Sequence, residues 1–353
     1  MYMLHGLRAQ GRSSSTKRRR GDEDDDDDDD EDEDAEDVIF SHTGADSSRY
    51  PNMFATVARS AHYSMPEVDA FSVPFNVSAH SGRLWIKPWW GGDASAVELH
   101  IKGVNWFGTA GSRRCMEEIN RVRVQQYIDF MVTHSFNAVR LPLSVATILA
   151  NPILEGPVWP CGEYAGWSHL RMLANVIQRL ATAGLFVMLD MHTLTYPEHN
   201  QPLWCEVQNA TVGCTVGVDD PHVDQPATLQ PLLRAWARVA ETFCAHRNVI
   251  LADVYNEPYG GHWGPHADYP VGTDWALAAE TIGNHILSRC PRWLIAVEGI
   301  ANNEPTHVCS NVTNGSWCWW GEDVLGQLTR PIALAVPDRL VLSPHAYGYA
   351  LAS

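Results

Sequence analysis

Apolar positions along this chain alternate between two patterns. Short, near-continuous apolar runs occur at 99–106 (LHIKGVNW), 137–142 (NAVRLP), 185–191 (LFVMLDM), 249–256 (VILADVYN), 293–298 (WLIAVE) and 340–346 (LVLSPHA). Between them lie longer amphipathic stretches. In 116–134 the apolar residues Ile119, Val122, Tyr127, Phe130 and Met131 recur at helical spacing, and 167–183, 228–245 and 274–289 read the same way. Strands that are apolar throughout are covered on both faces, so their alternation with amphipathic helices predicts a parallel sheet. The long interval between runs fits a (β/α)8 barrel with enlarged loops, incomplete here because only about six βα units can be counted. A doubly wound sheet would require a glycine-rich phosphate turn after an early strand. GVNWFGTAGS (103–112) has glycines but no G-x-G-x-x-G.

The chain ahead of this rhythm divides into three parts. Residues 71–103 show short β-like runs broken by Gly and Pro, which predicts a β-hairpin cap at one end of the barrel. Residues 46–70 read as a weakly structured lead-in. Residues 1–45 are a basic stub followed by an acidic run that repels itself, and they are expected to be disordered. KRRR at 17–20 could be a nuclear signal, but an incidental charged tail is the preferred reading. Residues 71–353 are then a partial barrel domain.

Charge changes the picture once the tail is set aside. The formal net charge of −17 includes 15 acidic residues within 22–37, and without residues 1–40 it falls to −8. A mildly acidic folded part argues against nucleic acid and suits a neutral polymer such as a polysaccharide. Fourteen tryptophans fit that partner, since indole faces stack on sugars, although about half are expected to be core residues. No run is long enough to span a membrane.

The eight cysteines form no C-x-x-C pair, so no metal site is expected. Cys205/Cys214 and Cys309/Cys318 enclose short polar loops beside the sequons at Asn209, Asn311 and Asn314, and a fourth sequon lies at Asn76. Together these predict an oxidising, secretory setting with disulfides and glycans. Residues 1–21 contain no apolar signal-peptide core, which conflicts with that expectation.

Nearly every apolar run ends on chemistry-bearing residues: Asn105-Trp106, Arg140, Asp190 with His192, Asn256-Glu257, Glu298, and His345 with Tyr347. In barrels such positions gather at the C-terminal mouth. Asn256-Glu257-Pro258 is the sharpest element. Cleavage of a glycosidic bond needs a carboxylic acid to protonate the leaving oxygen, and a Glu at a strand end can be both buried and reachable. A Glu in an ordinary strand-to-loop turn is the bland alternative.

The ordered series GVNWFG, NAVRLP, LDMH, NEP, VEG and SPHAYG, together with CWWGEDVLG, closely resembles glycoside hydrolase family 5 over roughly 71–353. That resemblance implies a retaining glycosidase acting on β-1,4-glucan or a related glycan, with neither metal nor cofactor. It implies Glu257 as acid/base, Asn256 as its substrate-orienting neighbour, and Arg140 as the cation that keeps the nucleophile carboxylate ionised. His192, His345 and Tyr347 would line the cleavage subsite, with Trp106, Trp319 and Trp320 as stacking platforms. Asp190 reads equally as a substrate contact or a buried structural acid. The protein is expected to act as a monomer.

The resemblance also exposes a departure. The family's nucleophile Glu lies in a G-E-F-G-like segment on a seventh strand, and no such segment is present. Glu298 is not expected to replace it, and Glu304 and Glu322 have no positional claim. The chain as given is therefore expected to be truncated and inactive. A carbohydrate-binding protein without turnover is the alternative, and a non-enzymatic wall or surface protein is the least favoured reading.

Overall fold

The computed structural model describes residues 2–3, 71, 73–154, 161–195, 203–205, 214, 228–265, 267, 270–301 and 323–346. Two sheets are present among the described residues. Strands β2 (Phe75–His80), β3 (Arg83–Pro88) and β4 (Val97–Glu98) form a small antiparallel sheet. This is the expected hairpin cap. Strands β5 (Gly103–Asn105), β6 (Ala138–Ser144), β7 (Phe186–Thr193), β8 (Val249–Asp253), β9 (Leu294–Val297) and β10 (Leu340–Leu342) pair in sequence order, all parallel. A two-residue strand β1 (Tyr2–Met3) pairs with β5 at the sheet edge. The rest of the 1–45 tail and the 46–70 lead-in lie outside the described residues. Among the described residues β5 and β10 are not joined, so the six-strand barrel segment is open.

The sequence explains the layering. All seven residues of β6 are buried, which requires cover on both faces. The cover comes from α1 (Val124–Thr133), α2 (Val145–Ala150), α3 (His169–Thr182), α4 (Gln230–Phe243) and α5 (Trp275–Leu287). Helix α4 buries Leu232, Leu233, Trp236, Val239, Ala240 and Phe243, a stripe at the 3–4-residue period of one helix face. Asp274 caps α5 by accepting the Leu277 N–H at 3.1 Å. No helix is long and apolar enough to cross a membrane among the described residues.

Two elements differ from their sequence reading. The helix expected from residue 116 begins at Val124. Glu118 adopts a left-handed φ of 61°, and the neighbouring Cys115 is tied to Cys161 by a disulfide, so this segment is held in turns. The strand expected over 99–106 is confined to 103–105, because the Leu99 N–H donates instead to Leu84 O next to the small sheet.

That small sheet plugs the N-terminal end of the barrel strands. Phe71 and Phe75 pack on Phe186, the first residue of β7, with ring centroids 5.0 and 6.0 Å apart. The Ala79 N–H donates to Asp338 O, just ahead of β10. The opposite, C-terminal end is left for side chains projecting from the strand ends.

Candidate active site

Arg140 is the centre of a buried polar cluster. It points into the barrel from β6, and its Cα is level with Met188 of β7, two residues below Asp190. The long side chain therefore rises to the next layer. Nη1 lies 3.0 Å from Asp190 Oδ2; Nη2 lies 2.7 Å from Asp253 Oδ2, 2.9 Å from Asn256 Oδ1 and 3.3 Å from Glu298 Oε1. Nε also donates to Asp253 Oδ2, at 3.2 Å. Arg140 is 2% exposed, and Asp190, Asp253 and Glu298 are fully buried. Burial disfavours the guanidinium charge, but Asp190, Asp253 and Glu298 more than offset it, so its pKa is raised overall. Arg140 cannot deprotonate and its planar fork reaches several acceptors, which a lysine could not reproduce.

The cluster fixes two groups named from the sequence. Arginine is donor-only, so the Asn256 amide must present Oδ1 to it, which turns the Asn256 NH2 the other way. Glu257 sits in the left-handed region at φ 46°, a conformation costing roughly 1–2 kcal/mol for a side-chain-bearing residue. Its N–H donates to Glu298 Oε2 at 2.9 Å. Glu298 thus holds the backbone that aims the Glu257 carboxylate.

His345, just beyond β10, completes the arrangement. Nδ1 lies 2.8 Å from Glu257 Oε1, and Nε2 lies 3.0 Å from Glu298 Oε1. A carboxylate only accepts, so a ring donating from both nitrogens is an imidazolium. Burial lowers the His345 pKa, but the hydrogen bonds to Glu257 and Glu298 outweigh it and raise the value to about 10. His192 donates from Nδ1 to Asp190 Oδ2 at 2.7 Å, and the edge of its ring meets Phe107 at 5.8 Å. Glu257, His192 and His345 keep 15%, 21% and 21% of their side-chain surface accessible, and with the 8%-exposed Asn256 these are the parts of the cluster that solvent or a ligand can touch.

The structure therefore brings together Arg140, Asp190, His192, Asn256, Glu257, Glu298 and His345. It does not add Trp106. That indole is 1% exposed and packs on Tyr127 with centroids 5.1 Å apart. Trp106 is a core residue with no face open to a sugar, which corrects the stacking role expected for it. Tyr347, Trp319 and Trp320 lie outside the described residues.

Asp253 is the site residue that sequence reading missed. It closes β8, four positions before Glu257, and pairs in register with Asp190. Burial, and then the Glu298 charge, raise its pKa well above the usual carboxylate range, against the pull of Arg140. The signal was an acid inside the apolar run VILADVYN. Ligand atoms of Asp253, Glu298 and His345 lie within 4.8 Å of one another, close enough for a metal ion. The Arg140 guanidinium already supplies positive charge to both carboxylates.

The partial parallel barrel thus gathers an Asn-Glu pair, an Arg hub and two histidines at its strand ends. Residues 97–352 match the family profile for cellulase (glycosyl hydrolase family 5), and the chain belongs to that family. It is 28% identical over 269 residues to an endoglucanase of Paenibacillus polymyxa, covering 74% of this chain and 59% of that protein. It is 30% identical over 258 residues to the major extracellular endoglucanase of Xanthomonas campestris pv. campestris, covering 72% of this chain and 47% of that one. The chain thus spans about half the length of these curated relatives. Among solved structures, an endocellulase from Pyrococcus horikoshii complexed with cellotetraose superposes with a TM-score of 0.63 at 26% identity, covering 79% of this chain and 71% of that one.

Proposed function

We propose that the protein is a retaining glycoside hydrolase that cleaves β-1,4-glucan, with Glu257 as acid/base. The observation that carries this reading is the Glu257 side chain positioned by His345, with its backbone N–H held by Glu298, while part of the carboxyl group stays accessible. Glu257 would protonate the leaving oxygen as the C1–O bond breaks and later deprotonate the water that releases the sugar. The Asn256 NH2, turned away from Arg140, would donate to the 2-OH, and His192 would line the same subsite. The second carboxylate that retention requires is not among the described acids around Glu257: Asp190, Asp253 and Glu298 are fully buried. Within this reading Tyr347, Trp319 and Trp320 contribute to the subsites.

That same absence among the described acids favours a second reading, carbohydrate binding without turnover. One pair of measurements separates the two. New reducing ends from carboxymethylcellulose, with the β-anomer formed first and Glu257→Gln inactive, support the hydrolase. Cellotetraose binding without new reducing ends supports the binding protein, and neither binding nor hydrolysis sinks both.

We further propose that the protein is secreted and acts as a monomer. Cys115–Cys161, Cys205–Cys214 and Cys244–Cys290 are disulfide-bonded, as suits an oxidising compartment. One chain supplies every residue of the described cluster.

A further inference from the structure

Two tryptophans stand at the opposite end of the barrel from Glu257. Trp89 and Trp90 are the central residues of the turn that follows β3, closed by Gly91 N–H donating to Pro88 O at 2.9 Å. Turn tips favour small or polar residues such as Gly, Asn, Asp and Pro. Here each indole is 62% exposed, the two largest side chains among the exposed hydrophobic residues. An exposed aromatic pair costs solubility with no gain in folding, and exposed apolar patches of this kind mark interaction sites.

The turn is braced. The Trp89 N–H donates to Pro74 O at 3.1 Å, Ser95 Oγ donates to Gly92 O at 2.7 Å, and Lys87 pairs with Asp93. Both rings are therefore presented on a fixed frame, which lowers the ordering cost of binding. The packing of Phe75 on the first residue of β7 places the turn at the plugged end of the barrel, away from the cluster around Arg140.

The chemistry of the patch selects the ligand. Its charges are matched within the protein: Lys87 by Asp93, and Arg83 by Glu98. Among the described residues, both the Lys and the Arg of this small sheet are ion-paired, which leaves neither free to attract a phosphate, a nucleic acid or an anionic lipid surface. What remains is uncharged and aromatic, and it complements a neutral polyhydroxylated chain. The ring planes meet at 88° with centroids 6.4 Å apart. Two perpendicular rings cannot both lie on a flat crystal face. They form a corner, in which one indole takes the apolar face of a pyranose while the other walls its edge.

We propose that the Trp89–Trp90 corner is a second, non-catalytic binding site for a single β-glucan chain. The identity of the glycan rests on the β-glucan reading above; the existence of the site does not. The test is native affinity electrophoresis of the full chain in gels containing hydroxyethylcellulose, a neutral soluble β-1,4-glucan. Wild type, Trp89→Ala, Trp90→Ala and the double variant are compared, with thermal melts to confirm folding. The expected result is retention weakened roughly tenfold in the double variant, as for loss of an aromatic stacking contact, with unchanged melting and unchanged pull-down on crystalline cellulose. Unchanged retention in hydroxyethylcellulose overturns the proposal whether or not the protein hydrolyses glucan. An equal loss on crystalline cellulose overturns the single-chain geometry. Unchanged retention with conversion of a dimer to a monomer on gel filtration would show that the corner is a self-association surface instead. Glucan hydrolysis, measured in parallel on an aryl cellobioside, reports on Glu257 alone, so failure there leaves the binding result readable.

Discussion

His345 Nδ1 lies 2.8 Å from Glu257 Oε1, while Nε2 of the same ring lies 3.0 Å from Glu298 Oε1. One imidazolium thus couples the accessible acid to the buried one. Its folded pKa of about 10 stands above the ordinary histidine value of 6.5. A group whose pKa is raised on folding contributes stability that is complete below the unfolded value and is lost as pH rises through the folded one. Folding stability is therefore expected to decline between about pH 6.5 and pH 10. Urea titrations at pH 6, 8 and 10 measure it. His345→Asn should be less stable at pH 6 and should flatten the alkaline decline; an unchanged slope would place the titrating group elsewhere.

Asp253 yields a graded prediction. Removing a partner from a buried ion-pair network typically costs about 3–5 kcal/mol, because a charge is left uncompensated. Asp253→Ala should fall in that range, since it strips Arg140 of two hydrogen bonds to one oxygen, at 2.7 and 3.2 Å. Asp253→Asn should cost clearly less. Burial and Glu298 push the Asp253 carboxyl toward its neutral form, and an amide copies a neutral acid in shape and still accepts from Arg140. Denaturant midpoints of the two variants test the order, and an Asn variant as damaging as Ala would show that the negative charge itself is required.

Trp106 separates a packing role from a binding role. With 1% exposure and contact to Tyr127, Trp106→Ala should destabilise the protein by about 3–5 kcal/mol through cavity formation. Trp106→Phe should recover much of that loss. Cellotetraose affinity, measured well below the melting temperature, should be the same in Trp106→Phe as in wild type. A large affinity loss in a stable Trp106→Phe protein would restore the stacking role.

Trp106 also shows where the sequence was legible and where it was not. Six apolar runs gave six parallel strands in order, because a strand buried on both faces must be apolar throughout. Their polar ends gave Arg140, His192, Asn256, Glu257 and His345, because a polar residue terminating such a run needs partners. Depth could not be read in the same way. Trp106 and Glu257 both follow strand ends, yet one turns into the core and the other faces the mouth, and that depends on the next turn's backbone, such as φ 46° at Glu257. Asp253 escaped notice for the converse reason. An acid inside an apolar run looks like noise until the register with Asp190 shows two carboxylates at one level, both facing Arg140.

His169 is expected to contribute to the acidic limit of the fold. It is fully buried at the first turn of α3, with Nδ1 donating to Arg114 O at 2.7 Å and no hydrogen-bond partner for Nε2 among the described residues. Burial lowers its pKa to about 4, against the smaller upward effect of the Arg114 carbonyl. The unfolded chain takes up this proton near pH 6.5 and the folded protein only near pH 4. The unfolded state therefore binds more protons between those values, and stability falls as pH drops through the window. A shift of this size corresponds to roughly 3–4 kcal/mol at most. His169→Gln keeps a donor for the Arg114 carbonyl and removes the titration. It should lower the melting temperature at pH 7 only modestly and reduce the drop between pH 6.5 and pH 4. If wild type and His169→Gln lose stability in parallel over that range, the acid limit lies with the buried carboxylates around Arg140 instead.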